Sequence, residues 1–249
     1  MTNLTFITEE SAKQLIESNV NSNSSKGYVL NPAGFSKHLI ETGRIGYRLT
    51  KEIMEKHPSL CYSLNPNFLR VYGYMHDFSK IFDGGEFHEV GTAHLILTKG
   101  DKDFELVAGG TESDRKRILR EIAFIVPPDF ALFESLGGRN YPNNSPYPDK
   151  IDDFKERVEQ LRRELSPDGK YLSIEELGLP FTLNQQIGLY ADLTNVNGEI
   201  ISVSDRIDEV EQRYGDPAGK FYNPIYADLA KKIRPRVLVV GATIENLLR

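Results

Sequence analysis

The chain has 249 residues, of which 39% are hydrophobic and 27% are charged, and this composition is typical of folded globular proteins. A formal net charge of −6 excludes a broad basic surface, so we expect no binding to duplex nucleic acid. The single cysteine, Cys61, excludes an internal disulfide and a thiolate metal cluster and favours a reducing compartment. The sequence has no signal-like start and no run near the roughly 20 apolar residues that span a bilayer, so we expect a cytoplasmic protein without membrane segments.

Most of the chain has the periodicity and end signals of α-helices. After a polar loop predicted at 19–28, Asn31 as N-cap and Pro32 at the first helical position begin a helix of about 25 residues. Further helices are predicted over 68–82, 86–98, 112–125 and 151–165 and over the last 16 residues from Arg234. Thr111 is a capping signal for the helix over 112–125, and Thr182 and Ser202 are capping signals that begin two more helices. The last segment contains an apolar run that also suits a strand, and we predict a helix there.

One segment interrupts this helical pattern. Residues 126–150 are rich in proline, glycine and asparagine but also contain aromatic residues, which favours an ordered, loop-rich insertion over a free linker. Tyr141 and Tyr147 in this segment can stack on a base or pack the loop, and the sequence does not separate the two. We expect one domain over 1–249, of the all-α class, with a core at about 32–214.

Residues 73–91 hold an unusual density of histidine and acidic side chains in a chain with only five histidines. In a continuous helix His76 and Lys80 share one face, and Asp77 lies about 100° around the helix axis from His76. Imidazole and carboxylate groups together bind divalent transition metals. Two adjacent ligands do not complete a site, and His38 and Asp192 are the best further candidates, because Asp192 lies among apolar residues where an unpaired carboxylate is costly to bury.

Each of these residues also has a purely structural interpretation. His38 can be a hydrogen-bonded core histidine, Asp192 can pair with Arg206 or Arg213, and Lys80 can be solvent-exposed. The two remaining histidines, His57 and His94, are not expected to belong to a site. The metal hypothesis requires His38, His76, Asp77 and Asp192 to converge around one point.

The order His38, then His76-Asp77, then Asp192 resembles the H…HD…D pattern of the HD superfamily of metal-dependent phosphohydrolases. The resemblance covers about 32–214 and includes the stretch HDFSK, which is followed by FHEVGTAHLI. It implies a bundle of helices with a metal between them, and it implies that these four residues are the metal ligands. It also matches Lys80 to a lysine that contacts substrate phosphate in many members.

Members of this superfamily with two metals usually supply two more histidines after the HD pair. Here His88 and His94 follow, but they are six residues apart and point to different sides of one helix. We therefore expect one divalent ion. Mn²⁺ is favoured, and Fe²⁺, Co²⁺, Ni²⁺, Zn²⁺ and Mg²⁺ are also possible, since mixed nitrogen and oxygen ligands discriminate poorly among them.

The resemblance implies hydrolysis of a phosphate ester, most simply that of a nucleotide or another small phosphorylated metabolite, by a metal-activated water. Asp77, Lys80 and His88 are the candidate catalytic residues, with His88 as an acid/base or phosphate contact. Lys80, Arg44 and Arg206 are candidates for binding the substrate phosphate. Two alternatives stay open: a phosphodiesterase for cyclic or oligomeric nucleotides, and a non-catalytic helical module that binds a nucleotide or a partner. A homo-oligomer is also possible.

Overall fold

The computed structural model describes residues 3–27, 29–83, 88–126, 182–196, 199–220, 222 and 224–249. These residues are mostly helical, in agreement with the predicted all-α class. The predicted helix over 151–165, the tyrosines at 141 and 147, and all but the first residue of the predicted insertion lie outside the described residues. No helix in the described part of the chain is long and apolar enough to cross a bilayer.

The described elements, in chain order, are mainly α-helices. The helices are α1 (Glu9–Ser22), α2 (Pro32–Lys56), α3 (Pro66–Met75), α4 (Lys80–Asp83), α5 (His88–Lys99), α6 (Glu112–Ile125), α7 (Leu183–Thr194), α8 (Val203–Gly215) and α9 (Pro224–Leu247). Two short 3₁₀ helices occupy Ser24–Lys26 and Pro58–Leu60. The strands β1 (Thr5–Phe6) and β2 (Val107–Ala108) pair antiparallel, and so do β3 (Asn195–Val196) and β4 (Glu199–Ile200).

The predicted helix starts are confirmed by their caps. The side chain of Asn31 accepts a hydrogen bond from the Gly34 N–H at 3.0 Å and begins α2, with Pro32 at its first position. Reciprocal capping boxes join Thr111 to Asp114 at the start of α6 and Thr182 to Gln185 at the start of α7. The Ser202 hydroxyl accepts from the Asp205 N–H at 3.0 Å before α8. Each cap satisfies an amide that the helix itself leaves without a partner.

The loop predicted at 19–28 is wrong at its start, because α1 continues to Ser22. Ala12, Ile16 and Val20 follow at four-residue spacing and are all buried. Asparagine and serine have a low helix propensity, which disfavours a helix around Val20. The burial of the apolar stripe stabilises the helix by more than this cost, so α1 continues through these polar residues.

The helix predicted over 68–82 is also wrong as a single element. Helix α3 ends at Met75, a turn follows, and α4 begins at Lys80. In the turn the Ser79 N–H donates to the Thr92 hydroxyl of α5 at 3.1 Å, and the Ser79 hydroxyl donates to the His88 carbonyl at 2.9 Å. The Ser79 N–H thus bonds to α5 and not to a carbonyl of the preceding turn, while its neighbours Phe78 and Lys80 make turn bonds to the carbonyls three residues before them.

The helix predicted at the C-terminal segment is confirmed and forms part of α9. Its residues Val237, Val240 and Ile244 are buried and recur at three- and four-residue spacing, which is the pattern of a helix rather than of a strand.

Helix α2 is the central element, and it packs against α1, α3 and α7. One apolar core joins these helices to α5 and α6. Completely buried side chains from this core include Ile16, Leu39, Ile53, Leu69, Tyr74, Phe78, Ile96 and Ile122. This packing fixes the relative positions of the segments that carry the predicted ligands.

Candidate metal centre

Three of the predicted ligands, His38, His76 and Asp192, come together where α2, α3 and α7 meet. The Nε2 atoms of the two histidines are 3.1 Å apart, and Oδ1 of Asp192 lies 3.1 Å from each of them. Among the described residues they form the one group of three histidine, cysteine or acidic side chains whose ligand atoms all lie within 4.8 Å of one another. The arrangement is a nearly equilateral triangle of possible metal ligands.

The close crossing of α2 and α3 brings the two histidines together. Gly43 of α2 and Gly73 of α3 meet at the crossing point, where a Cβ added to Gly73 would lie 2.2 Å from the Gly43 nitrogen. A Cβ added to Gly43 would lie 2.4 Å from Cε1 of Tyr74. The two backbones therefore touch, which is possible only without side chains at these positions. His38 and His76 lie within about one and a half turns of this contact.

Hydrogen bonding fixes the ring of His76. Its Nδ1 lies 2.9 Å from the Gly73 carbonyl oxygen, which can only accept, so Nδ1 carries a proton and donates it. The ring also contacts the ring of Tyr72, tilted by 32°, at a centroid distance of 5.6 Å. In the neutral ring the Nε2 lone pair therefore points to the Asp192 carboxylate. A proton or a cation between these two acceptor atoms is needed to remove their repulsion.

The size of the triangle suits one divalent ion. Donor atoms about 2.2 Å from an ion lie about 3.1 Å apart when they occupy adjacent corners of an octahedron. This is the separation observed on all three sides of the triangle. The residues present therefore fit an octahedral ion with three protein ligands and positions left for water or substrate.

The pKa values of His76 and Asp192 show that this group favours a positive charge at its centre. Burial of His76 lowers the pKa of its ring, but the carboxylates of Asp192 and Asp77 outweigh burial and raise it to about 9. For Asp192, burial raises the carboxyl pKa, while His76 and His38 hold it well below its ordinary value. In the protein alone, a proton on His76 thus occupies the place that suits a cation.

The fourth predicted ligand, Asp77, lies beside the triangle and belongs to a second set of contacts. Its Oδ2 is 2.6 Å from Lys80 Nζ, and its Oδ1 is 2.9 Å from His88 Nε2. Burial raises the pKa of Asp77, but Lys80, His76 and His88 hold it well below the usual range. The same Oδ2 lies 3.8 Å from His76 Nε2, between the separations of adjacent and opposite ligands of one ion, about 3.1 and 4.4 Å. The carboxylate is therefore ionised, but Asp77 lies outside the group of ligand atoms that are within 4.8 Å of one another, and its role as a fourth ligand stays a prediction.

The arginines with candidate roles are engaged by carboxylates elsewhere. Arg44 binds Glu9 through its Nε and Nη2 atoms and also contacts Glu41. Arg206 and Arg213 both bind Glu209. Neither is therefore the ion-pair partner of Asp192, as the alternative to a metal site had assumed. The expectation that Arg44 and Arg206 bind substrate stays a prediction.

The other two histidines do not join the group, in line with expectation. His57 Nε2 lies 3.0 Å from the Leu247 carbonyl oxygen and helps to hold the end of α9. His94 lies on α5, and its carbonyl accepts a hydrogen bond from the Thr98 hydroxyl at 2.8 Å.

Sequence reasoning missed two residues that contact the group. The contact of Tyr72 with the His76 ring could have been predicted from the sequence, since residues four apart in a helix lie on one face. Asn195, whose side chain bonds to α2, had no local signal, because its partners lie far away in the sequence.

Comparison of the chain with protein-family models, with curated proteins and with solved structures finds no match. The resemblance to the HD superfamily therefore depends on the order of the motif residues alone.

Proposed function

We propose that the protein is a metal-dependent phosphohydrolase of the HD type, which cleaves a phosphate ester of a nucleotide or of another small phosphorylated metabolite. The observation that carries this proposal is the convergence of His38, His76 and Asp192 into a triangle with sides of 3.1 Å. A divalent ion, Mn²⁺ by preference, would polarise a phosphoryl oxygen and lower the pKa of a bound water.

The residues beside the triangle support hydrolysis over simple metal storage. Lys80 places a positive charge 2.6 Å from Asp77, at the edge of the group, where it can offset the charge of a phosphoryl group in transfer. Its side chain is one-third exposed, so it can also reach a molecule that enters from solvent. His88, on the other oxygen of Asp77, is placed to give or take a proton.

The test is metal analysis and a substrate panel on protein purified without chelator. We expect about one divalent ion per chain, and Mn²⁺-dependent release of phosphate from at least one nucleotide or sugar phosphate. Asp192→Asn should lose both the ion and the activity, because it removes the charged ligand from the triangle. Asp103→Asn, which changes an exposed carboxylate, is the matched control and should keep both.

Each other outcome has a definite meaning. Cleavage of cyclic or oligomeric nucleotides alone would make the protein a phosphodiesterase. A bound ion and a bound nucleotide without turnover would favour the non-catalytic module. If no divalent ion is retained and none changes activity or thermal stability, the metal proposal is wrong.

A further inference from the structure

Asn195 links the two helices that carry His38 and Asp192. It directly follows α7, it is 1% exposed, and its backbone N–H donates to the carbonyl of Asp192. Its side-chain amide donates to the backbone carbonyl of His38 at 2.9 Å and to the Thr42 hydroxyl at 2.8 Å. A single residue is thus bonded to the main chain of both predicted ligands.

The bonds of Asn195 affect the distance between His38 and Asp192, which the packing of the apolar core alone fixes only loosely. Apolar contacts between α2 and α7 are not directional, and they tolerate small shifts of one helix along the other. Ligands of one ion must be held within about 0.5 Å of the productive geometry. The Asn195 side chain bonds across to the His38 carbonyl of α2, while its backbone bond to Asp192 is local to the end of α7, so the residue ties the two helices together next to the ligands.

We infer that Asn195 is a positioning residue for the metal group, which holds His38 and Asp192 at coordination distance. The inference rests on the proposed function, since it gives the spacing of these two side chains a role in binding an ion. Asn195 acts on the ligands through the backbone of α2 and α7. Its loss should therefore weaken metal binding more than it weakens the fold.

The same helix offers a matched control at its other end. Gln185, in the first turn of α7, is completely buried, and its side-chain amide donates to the Phe124 carbonyl of α6 at 2.9 Å. It makes the same kind of bond as Asn195, from a buried amide to a backbone carbonyl, but α6 carries none of the predicted ligands. A general effect of loosening α7 would appear in both variants.

The experiment compares Asn195→Leu with Gln185→Met, both of which replace a buried amide by an apolar side chain of similar size. Mn²⁺ affinity is measured by electron paramagnetic resonance and stability by urea unfolding. We expect the Kd for Mn²⁺ to rise about 10–100-fold in Asn195→Leu, the range for partners that orient metal ligands. Gln185→Met should lose stability with a Kd close to that of the parent. An equal rise of Kd in both variants, or no rise in Asn195→Leu, would overturn the inference.

If Asn195→Leu does not fold, a milder variant tests the same inference. Thr42→Val removes one of the two acceptors of the Asn195 amide and leaves the bond to the His38 carbonyl, so a smaller rise of Kd in the same direction is expected. Thr42→Ser keeps the hydroxyl and should restore the parent affinity. A Thr42→Val protein with the parent Kd would count against the inference.

Failure of the proposed function has a separate signature. If the parent protein binds none of the divalent ions tested, the proposed function fails, and crystal structures of metal-free parent and Asn195→Leu protein decide the positioning role. A His38 Nε2 to Asp192 Oδ1 distance that grows beyond 3.1 Å only in the variant supports it. An unchanged distance overturns it.

Discussion

Two clusters of opposite charges lie along helix α2, and they differ in whether they are complete without a ligand. The exposed cluster joins Arg44 to Glu9 and Glu41, and the arginine side chain is 51% exposed. The buried cluster joins His38, His76 and Asp192, and the side chain of His76 is only 4% exposed.

In the exposed cluster, each carboxylate meets a donor of the guanidinium, so no acceptor lacks a partner charge. In the buried cluster His76 Nε2 and Asp192 Oδ1 are both acceptors when His76 is neutral, and the pKa of His76 is raised to about 9 because a proton between them relieves their repulsion. Such an arrangement is costly to bury unless a cation completes it. A candidate ligand site is therefore recognised by buried charged groups whose neighbours supply too little opposite charge.

The largest effect should come from Asp77, which lies beside the buried cluster and is its fourth predicted ligand. Asp77→Ala should lose the ion and with it the activity. Lys80→Ala should keep the ion and the fold and lose about 10²–10³-fold in kcat/KM, the scale for one electrostatic donor. Metal analysis and steady-state kinetics on both variants check this prediction.

These two residues lie three positions apart, so a general disturbance of the turn after α3 would affect both variants alike. If Lys80→Ala hydrolyses phosphate esters as fast as the parent, Lys80 only balances the charge of Asp77. The resemblance to the superfamily would then fail at this position.

A smaller effect should follow from separating α2 and α3. The Cβ in Gly73→Ala would meet the backbone of Gly43, and overpacking of this kind costs about 1–3 kcal/mol. We expect lower stability in urea together with weaker Mn²⁺ binding, because His38 and His76 move apart. Gly215→Ala is the control, since its Cβ would lie 3.7 Å from that of Ala227 in ordinary contact. Unchanged stability in Gly73→Ala would contradict the close crossing.

The pH dependence should distinguish the metal-free protein from the metal-bound one. The folded pKa of His76, about 9, lies above its ordinary value of 6.5, so its contribution to stability is present below pH 6.5 and is lost as the pH rises through about 9. Asp192 has a lowered pKa, so its contribution is present above pH 3.8, its ordinary value, and is lost as the pH falls.

An ion must displace the proton of His76 in order to bind. We therefore expect Mn²⁺ affinity to rise about tenfold per pH unit between 7 and 8, with one proton released per ion. Calorimetry in buffers of different ionisation enthalpy measures the released proton. Binding without proton release would show that His76 is not a ligand.

The smallest effect should come from the exposed cluster. Arg44→Ala should cost at most about 1 kcal/mol of stability, because exposed ion pairs contribute little and are screened by salt. The same variant tests the predicted substrate role, through KM for the substrate found in the panel. A KM equal to that of the parent would remove Arg44 from the substrate-binding residues, and a raised KM at nearly unchanged stability would support its role.

The sequence predicted what local interactions decide. Asn31, Thr111 and Thr182 begin helices as expected, because a cap and its partner lie within three residues of each other. It failed at the end of α3, where Ser79 bonds to Thr92 and His88 of another helix. Hydrogen bonds between distant segments leave no periodic pattern in the chain.

For the candidate site the sequence predicts the candidate ligands and their order, since His38, His76 and Asp192 can be named from chemistry and motif spacing. Only the tertiary structure decided that their ligand atoms meet at 3.1 Å, and that Asp77 lies between Lys80 and His88. We expect these distances to depend on the contact of Gly43 with Gly73 and on the bonds of Asn195 to α2. Such contacts join residues far apart in the chain, and they form only when the helices pack.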